Sequence, residues 1–195
     1  PVSCLLLAFL LTTGRRLKEA GTLTWTQIKL GDNSRLELKK TKTSKKNNKL
    51  VFSLGADAVK VLNLIAKDRL NNPDSSFYFP INDPRNNYIF PSKAYGRKIK
   101  GGTSVALHVQ DPGATWDSAL KLGGVERHMK IHSTRHSFAT NFYRVTKDLK
   151  ALAEALGTTE AQASRYAKLD GEPVVEGINK IKFFGEEKPM LKNII

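Results

Sequence analysis

The hydrophobic pattern begins with an apolar run over residues 4–11 that has no polar face. A short stretch apolar on every side belongs inside a large core as a helix, and it falls well below the roughly 20 residues that span a bilayer. Ser3 is placed to cap its start, and Gly14 to loosen its end. Residues 16–21 continue as a helical turn with Leu17 and Ala20 on one face, closed by Gly21. Residues 22–28 alternate around Trp25 and predict a strand or a strand entry. After a Gly31-Asp32-Asn33 turn, residues 35–42 set Leu36 and Leu38 against charged neighbours, residues 44–48 form a polar turn, and residues 50–54 return. That is the period of a half-exposed antiparallel sheet. Residues 56–70 then repeat apolar positions at Val59, Leu62, Ile65 and Ala66, which is helical spacing.

Patterning is lost over residues 71–113, a stretch rich in Asn, Pro, Gly and Lys with two short apolar pieces at 77–79 and 88–90. The expectation there is a long, partly mobile connection. Helical periodicity resumes over 114–122, which Gly123-Gly124 stops, then over 133–143, 147–156 and 159–169. Gly157 ends the third of these, and Thr159 with Gln162 forms a capping box for the fourth. Asp170-Gly171-Glu172-Pro173 breaks the chain ahead of a tail carrying Val174, Ile178 and Ile181. The pattern predicts a mainly α-helical fold with a small antiparallel β-sheet near the N-terminus (α+β). It parses as one domain over 1–169 and a tail over 170–195.

Composition narrows the partners. A formal charge of +14 and a pI near 9.9 on 195 residues favour a polyanion, most commonly nucleic acid, and a 40% apolar share favours a packed domain over disorder. Cys4 is the only cysteine, which excludes an internal disulfide and a cysteine-based zinc site and suits a reducing compartment. No basic segment precedes the apolar run, so it does not read as a signal peptide. The chain opens at Pro1 and enters a core helix at once, so further sequence is expected upstream.

Four stretches carry candidate chemistry. They are Thr13-Gly14-Arg15-Arg16-Leu17-Lys18-Glu19, continued by Leu23-Thr24-Trp25-Thr26-Gln27-Ile28; Lys42-Thr43 in the hairpin; His132-Ser133-Thr134-Arg135-His136-Ser137-Phe138-Ala139-Thr140; and Leu156-Gly157-Thr158 followed by Arg165-Tyr166. In this order they resemble the boxes of the tyrosine recombinase (phage integrase) family: T-G-x-R-x-x-E with L-x-W-x-D-I, the β-hairpin lysine, H-x-x-R-H-[ST]-F-A-[ST], and L-G-[HW] ahead of R-Y. The resemblance spans residues 5–169. Gln27 replaces the usual acid, Thr158 stands where the family has His or Trp, and the spacing from there to the tyrosine is one residue short.

The resemblance implies the catalytic domain of a site-specific DNA recombinase without its N-terminal core-binding domain. Such an enzyme integrates or exchanges DNA for a phage or mobile element through a 3′-phosphotyrosine intermediate, without metal or cofactor. It implies Arg16, Lys42, His132, Arg135 and Tyr166 as catalytic, with Thr158 at the last variable position. Arg15, Lys40, Lys45, Lys46 and Arg165 become DNA contacts. Double-stranded DNA is the implied partner, bound by a homotetramer on paired sites, with a monomer in the absence of DNA and a C-terminal segment docking either in trans or on its own domain. The implied location is the cytoplasm of a bacterial or phage-infected cell, at the nucleoid, with no membrane.

The residue types also fit the chemistry on their own terms. Tyrosine has a reference pKa of about 10 and is ionised in only about one molecule in a thousand at neutral pH, so a tyrosine nucleophile needs a positive field and a proton acceptor. Two guanidinium groups can grip the oxygens of one phosphate, and histidine moves protons near neutrality. Each residue has a bland counterpart: Arg15 and Arg16 as solvated helix-end charges, the lysines around Lys42 as an ordinary exposed hairpin, His132 as a structural histidine and Tyr166 as a half-buried aromatic. His136 reads as a supporting helix residue, Glu19 as an ion-pair partner, and Trp25 and Phe138 as core. Two further functions stay open, a type IB topoisomerase-like or resolvase-like enzyme that religates the same ends, and a basic DNA-binding module with impaired catalysis.

Overall fold

The computed structural model describes residues 2–38, 50–72, 77, 79–80, 82–99 and 102–167. Helix α1 (Val2–Thr13) is the centre of the fold and buries Leu6, Phe9 and Leu10 completely. It packs against α3 (Ala56–Asn71), α4 (Gly113–Leu122) and α5 (Ser133–Thr146), which is why its apolar run leaves no room for a polar face. Ser3 lies inside this helix and not at its cap.

A three-stranded antiparallel sheet of β1 (Ile28–Lys29), β2 (Arg35–Leu38) and β3 (Leu50–Ser53) lies in that order, with Leu36 opposite Phe52. Both side chains are buried, so the alternation at Leu36 sorts the sheet into an inner and an outer face. The strand expected over 22–28 is instead a single 3₁₀ turn, Trp25–Gln27, leading into β1. Gln27 decides it: its side-chain oxygen accepts from the Thr24 backbone N–H at 2.9 Å, and that local bond competes with a sheet ladder.

The segment expected to be a mobile connection is part of the core over its described residues. Phe77, Ile89 and Phe90 are buried, and the Phe9 and Phe90 rings meet at 5.5 Å. Backbone N–H groups of Ile89 and Val109 donate to Leu23 and Phe90 carbonyls at 3.0 and 2.9 Å. Asp83 and Arg85 pair at 2.6 Å, and the Arg85 guanidinium lies 3.9 Å over the Phe79 ring. A short hairpin of β4 (Lys98–Ile99) and β5 (Gly102–Thr103) completes it.

A second apolar cluster, built from Ala139, Leu152, Ala153, Leu156, Ala163 and Tyr166, joins α5 to α6 (Leu149–Leu156) and α7 (Glu160–Ala167). Helix α5 touches both clusters, through α1 on one side and α6 and α7 on the other. Among the described residues no helix is long and apolar enough to cross a membrane.

Candidate active site

Gly14 ends α1 with a φ of +62°, a backbone conformation that glycine adopts without cost. The turn sends the next two side chains in different directions. Arg15 points inward and is buried; Arg16 is exposed and opens the short helix α2 (Leu17–Gly21). Arg16 Nη1 pairs with Glu19 Oε1 at 2.8 Å, while Glu19 Oε2 accepts from the Arg16 backbone N–H at 3.1 Å. Glu19 thus takes the ion-pair role its sequence position suggests.

Arg15 departs from the expected DNA contact. Its guanidinium lies 3.7 Å over the Phe52 ring, donates to the Ala155 carbonyl, and is only 2% exposed, so it presents nothing to a polyanion. Burial, and secondarily repulsion from Arg135 and Arg16, pull its pKa down to about 10 against an opposing contribution from Glu19. The carbonyl end of α6 carries partial negative charge, which offsets some of the cost of burying the cation.

Arg135 sits on the first turn of α5, also buried. Its Nη1 donates to the Gly14 carbonyl at 2.7 Å and its Nη2 to the Leu156 carbonyl at 3.1 Å. One guanidinium therefore ties the end of α1 to the end of α6. Burial, then Arg16, push its pKa below the usual arginine value; Glu19 and Tyr166 oppose this, Tyr166 partly through a hydrogen bond. A guanidinium has five N–H groups, so two carbonyl contacts leave donors for an anion.

Gly157 turns the chain after α6 with a φ of +64°. The Thr158 hydroxyl bonds the Gln162 side chain, so the uncharged residue at the variable position is already engaged within its own loop. Gln162 N–H reaches Thr159 Oγ1 at 3.3 Å, which makes one arm of the expected capping box; the other arm is diverted to Thr158. Helix α7 then carries Arg165 and Tyr166. Arg165 Nε donates to the Gln162 carbonyl at 3.0 Å, and the Tyr166 ring is buried against His136 at 5.6 Å between centroids. The His136 ring meets His132 edge-on at 4.9 Å. Desolvation, followed by His136, Arg135, Arg16 and Arg165, keeps the His132 pKa below its ordinary value.

Arg16, His132, Arg135, Thr158, Arg165 and Tyr166 line one open cleft of about 260 Å³, together with Leu156 and Gln162. Arg16 and Arg135 lie 119 positions apart in sequence by their numbering yet face the same space. Three guanidinium groups, a largely uncharged imidazole and a phenol surround a volume lined by no carboxylate. The chemistry of such a lining suits a phosphate, whose oxygens the guanidinium groups can neutralise, with an imidazole and a phenol bordering the same space. The sequence placed Gln162 only in a capping box with Thr159, and its place in the cleft was missed. Lys40, Lys42, Lys45 and Lys46, and the tail over 170–195, lie outside the described residues.

Solved structures share this architecture. The chain is similar to XerH site-specific recombinase bound to palindromic difH substrate in a post-cleavage complex, with a TM-score of 0.62 and 21% identity over 91% of this chain and 45% of that one. It is similar to XerA recombinase, with a TM-score of 0.61 and 18% identity over 93% and 62% of the two chains. It is also similar to the Tn1549 transposon integrase in complex with circular intermediate DNA, with a TM-score of 0.52 and 16% identity over 84% and 52%. At these identities the likeness establishes the fold, a mostly helical domain with a small antiparallel sheet. The chain spans 45–62% of the length of these three proteins. No curated protein matches it. The sequence profile of the phage integrase family matches residues 2–172, and with the recombinase fold and the ordered boxes this places the chain in the phage integrase family.

Proposed function

We propose that this chain is the catalytic domain of a site-specific DNA recombinase that cuts and rejoins DNA through its own tyrosine. The observation that carries the reading is the shared cleft, in which residues from three of the four separated stretches of sequence line one open space of about 260 Å³. The Tyr166 oxygen attacks a backbone phosphorus, the bond from phosphorus to the 5′-oxygen breaks, and the enzyme keeps a 3′-phosphotyrosine. His132, held largely uncharged, accepts the phenol proton; Arg16 and Arg135 stabilise the added negative charge on the two non-bridging oxygens. Lys42 protonates the departing 5′-oxygen, so that a neutral hydroxyl leaves. Attack by the 5′-hydroxyl of another strand reverses the sequence and restores the phenol. Arg165 and the hairpin lysines Lys40, Lys45 and Lys46 bind flanking DNA. The full protein acts as a tetramer on paired sites in the cytoplasm, at the nucleoid.

The test is a nicked duplex in which cleavage releases a short fragment and traps the covalent state. A protein–DNA adduct on a denaturing gel that vanishes in Tyr166→Phe supports the proposal; no adduct, or one that survives the substitution, refutes it. Thr158 favours one second reading, a basic DNA-binding module that no longer cleaves, because its hydroxyl is taken up by Gln162 and offers no ring N–H to a phosphate. Salt-sensitive DNA binding without any adduct selects that reading.

A further inference from the structure

His132 is a wall between two clefts. On one side is the cleft of Arg16, Arg135 and Tyr166; on the other is an open cleft of about 360 Å³ lined by Arg127, His128, Met129, Lys130, Ser133 and His136. No carboxylate lines the second cleft, while Arg127 and His128 also border a neighbouring one that contains Glu126 and Asp117. Arg127, His128 and Lys130 are exposed, and among the described residues none of them makes an ion pair. The loop that presents them is nevertheless fixed. Trp116 Nε1 donates to the Met129 carbonyl at 2.5 Å, the Ser133 N–H to the Lys130 carbonyl at 2.8 Å, and the buried Thr134 hydroxyl to the Ile131 carbonyl at 2.8 Å. Anchoring the backbone of an unpaired cationic loop lowers the entropy lost when it binds an anion.

We propose that this second cleft is a phosphate subsite for the backbone position flanking the reacting phosphate on the same strand. The inference rests on the DNA-cleaving reading for the occupant of the first cleft. Phosphates on one strand recur every 3.4 Å or so of helix axis, so a strand with one phosphate against Arg16 and Arg135 brings the next past His132. Arg127 and Lys130 supply the charge there. His128 and His136 add ring N–H donors, and the Ser133 hydroxyl adds another. This assigns His132 a second part, touching both phosphates and fixing the register between them, alongside its proton role.

The probes are two thymidine dinucleotides, one with its internal phosphate alone and one carrying an additional terminal 5′-phosphate, titrated into the full chain at low salt and followed by NMR. The second phosphate is expected to tighten binding about tenfold in the parent protein and to add almost nothing in Arg127→Ala/Lys130→Ala. Equal gains in the two proteins overturn the subsite. On a 16-bp mixed-sequence duplex, the same double variant is expected to lower the slope of log K against log salt by about 1, the loss of one phosphate contact, whereas Lys60→Ala, on the exposed face of α3, leaves it unchanged. An unchanged slope in the double variant, or an equal fall in Lys60→Ala, overturns the proposal. Both side chains are exposed, so a far-UV melt that superimposes on the parent's shows that the fold is intact. Neither measurement reads the adduct, so the subsite and the cleavage chemistry fail separately.

Discussion

Gly14→Ala tests the whole construction of the cleft. The residue has a φ of +62°, where an alanine costs roughly 1 kcal/mol more than glycine. A Cβ there would also lie 2.9 Å from Phe138 Cγ and nearer still to Cδ1, inside any real contact distance. Phe138 is only partly buried and can yield somewhat, so overpacking adds about 1–3 kcal/mol. The expected loss is about 2–4 kcal/mol, which for a domain of this size lowers Tm by about 5–15 °C. The same change displaces the Gly14 carbonyl that holds Arg135 Nη1 at 2.7 Å, and a clamp misplaced by a fraction of an ångström slows adduct formation by about tenfold or more. Urea unfolding of Gly14→Ala, Phe138→Ala and the double variant measures the clash directly. Truncating Phe138 removes it, so the double variant should be at least ~1 kcal/mol more stable than the sum of the singles predicts. A Gly14→Ala loss below about 0.5 kcal/mol, or strict additivity, refutes the packing account.

Three other expectations can be checked separately. Arg15→Met removes a cation whose burial, read from its pKa of about 10, costs roughly 3 kcal/mol, and loses a donor to Ala155 and the stacking on Phe52 of similar total size. Its stability should stay within about 1.5 kcal/mol of the parent, and its DNA salt slope should not change, as measured by chemical denaturation and fluorescence anisotropy; a slope reduced by about 1 would put Arg15 back on the DNA. The His132 ring should titrate below 6.5 by NMR, because desolvation and then His136, Arg135, Arg16 and Arg165 disfavour its charge. The unfolded chain then takes up the proton first, so this group's contribution to stability is complete above its unfolded pKa and is lost as pH falls toward the folded one. A midpoint above 6.5 in the unbound protein contradicts this. Asp148→Ala removes the side chain that accepts the Ala151 N–H at 3.0 Å and caps α6, and should cost about 1 kcal/mol in urea unfolding while adduct yield holds; a much larger activity loss would show that this helix end is coupled to the cleft.

Much of this was legible in the chain because the relevant signals are local. The helices at 56–70 and 114–122 follow from apolar spacing, and the structure reproduces them within one residue, while the pairing of Leu36 with Phe52 follows from alternation. The grouping of Arg16, His132, Arg135, Thr158, Arg165 and Tyr166 followed from motif order, since periodicity alone has no means of bringing α2, α5 and α7 together. Three things were not legible. The 71–113 segment lacks a period because its order comes from Phe77, Ile89 and Phe90 entering a core made elsewhere, a tertiary effect with no local signature. Gln27 reads as neutral in an alternating run, yet its bond to Thr24 selects the 3₁₀ turn. Arg15 and Arg16 are identical letters in adjacent positions, and only the left-handed turn at Gly14 determines which of them is buried.

The two carbonyls that close α6, those of Ala155 and Leu156, are both taken by arginines that come from other elements. Assembly of the α6–α7 lobe on the rest of the domain and alignment of the clamp are consequently a single event. A half-docked molecule would leave both guanidinium groups without these carbonyl partners, and its Tyr166 would stand apart from Arg16. Under the proposed cleavage chemistry, an incompletely folded copy would lack the aligned cleft and should not nick DNA.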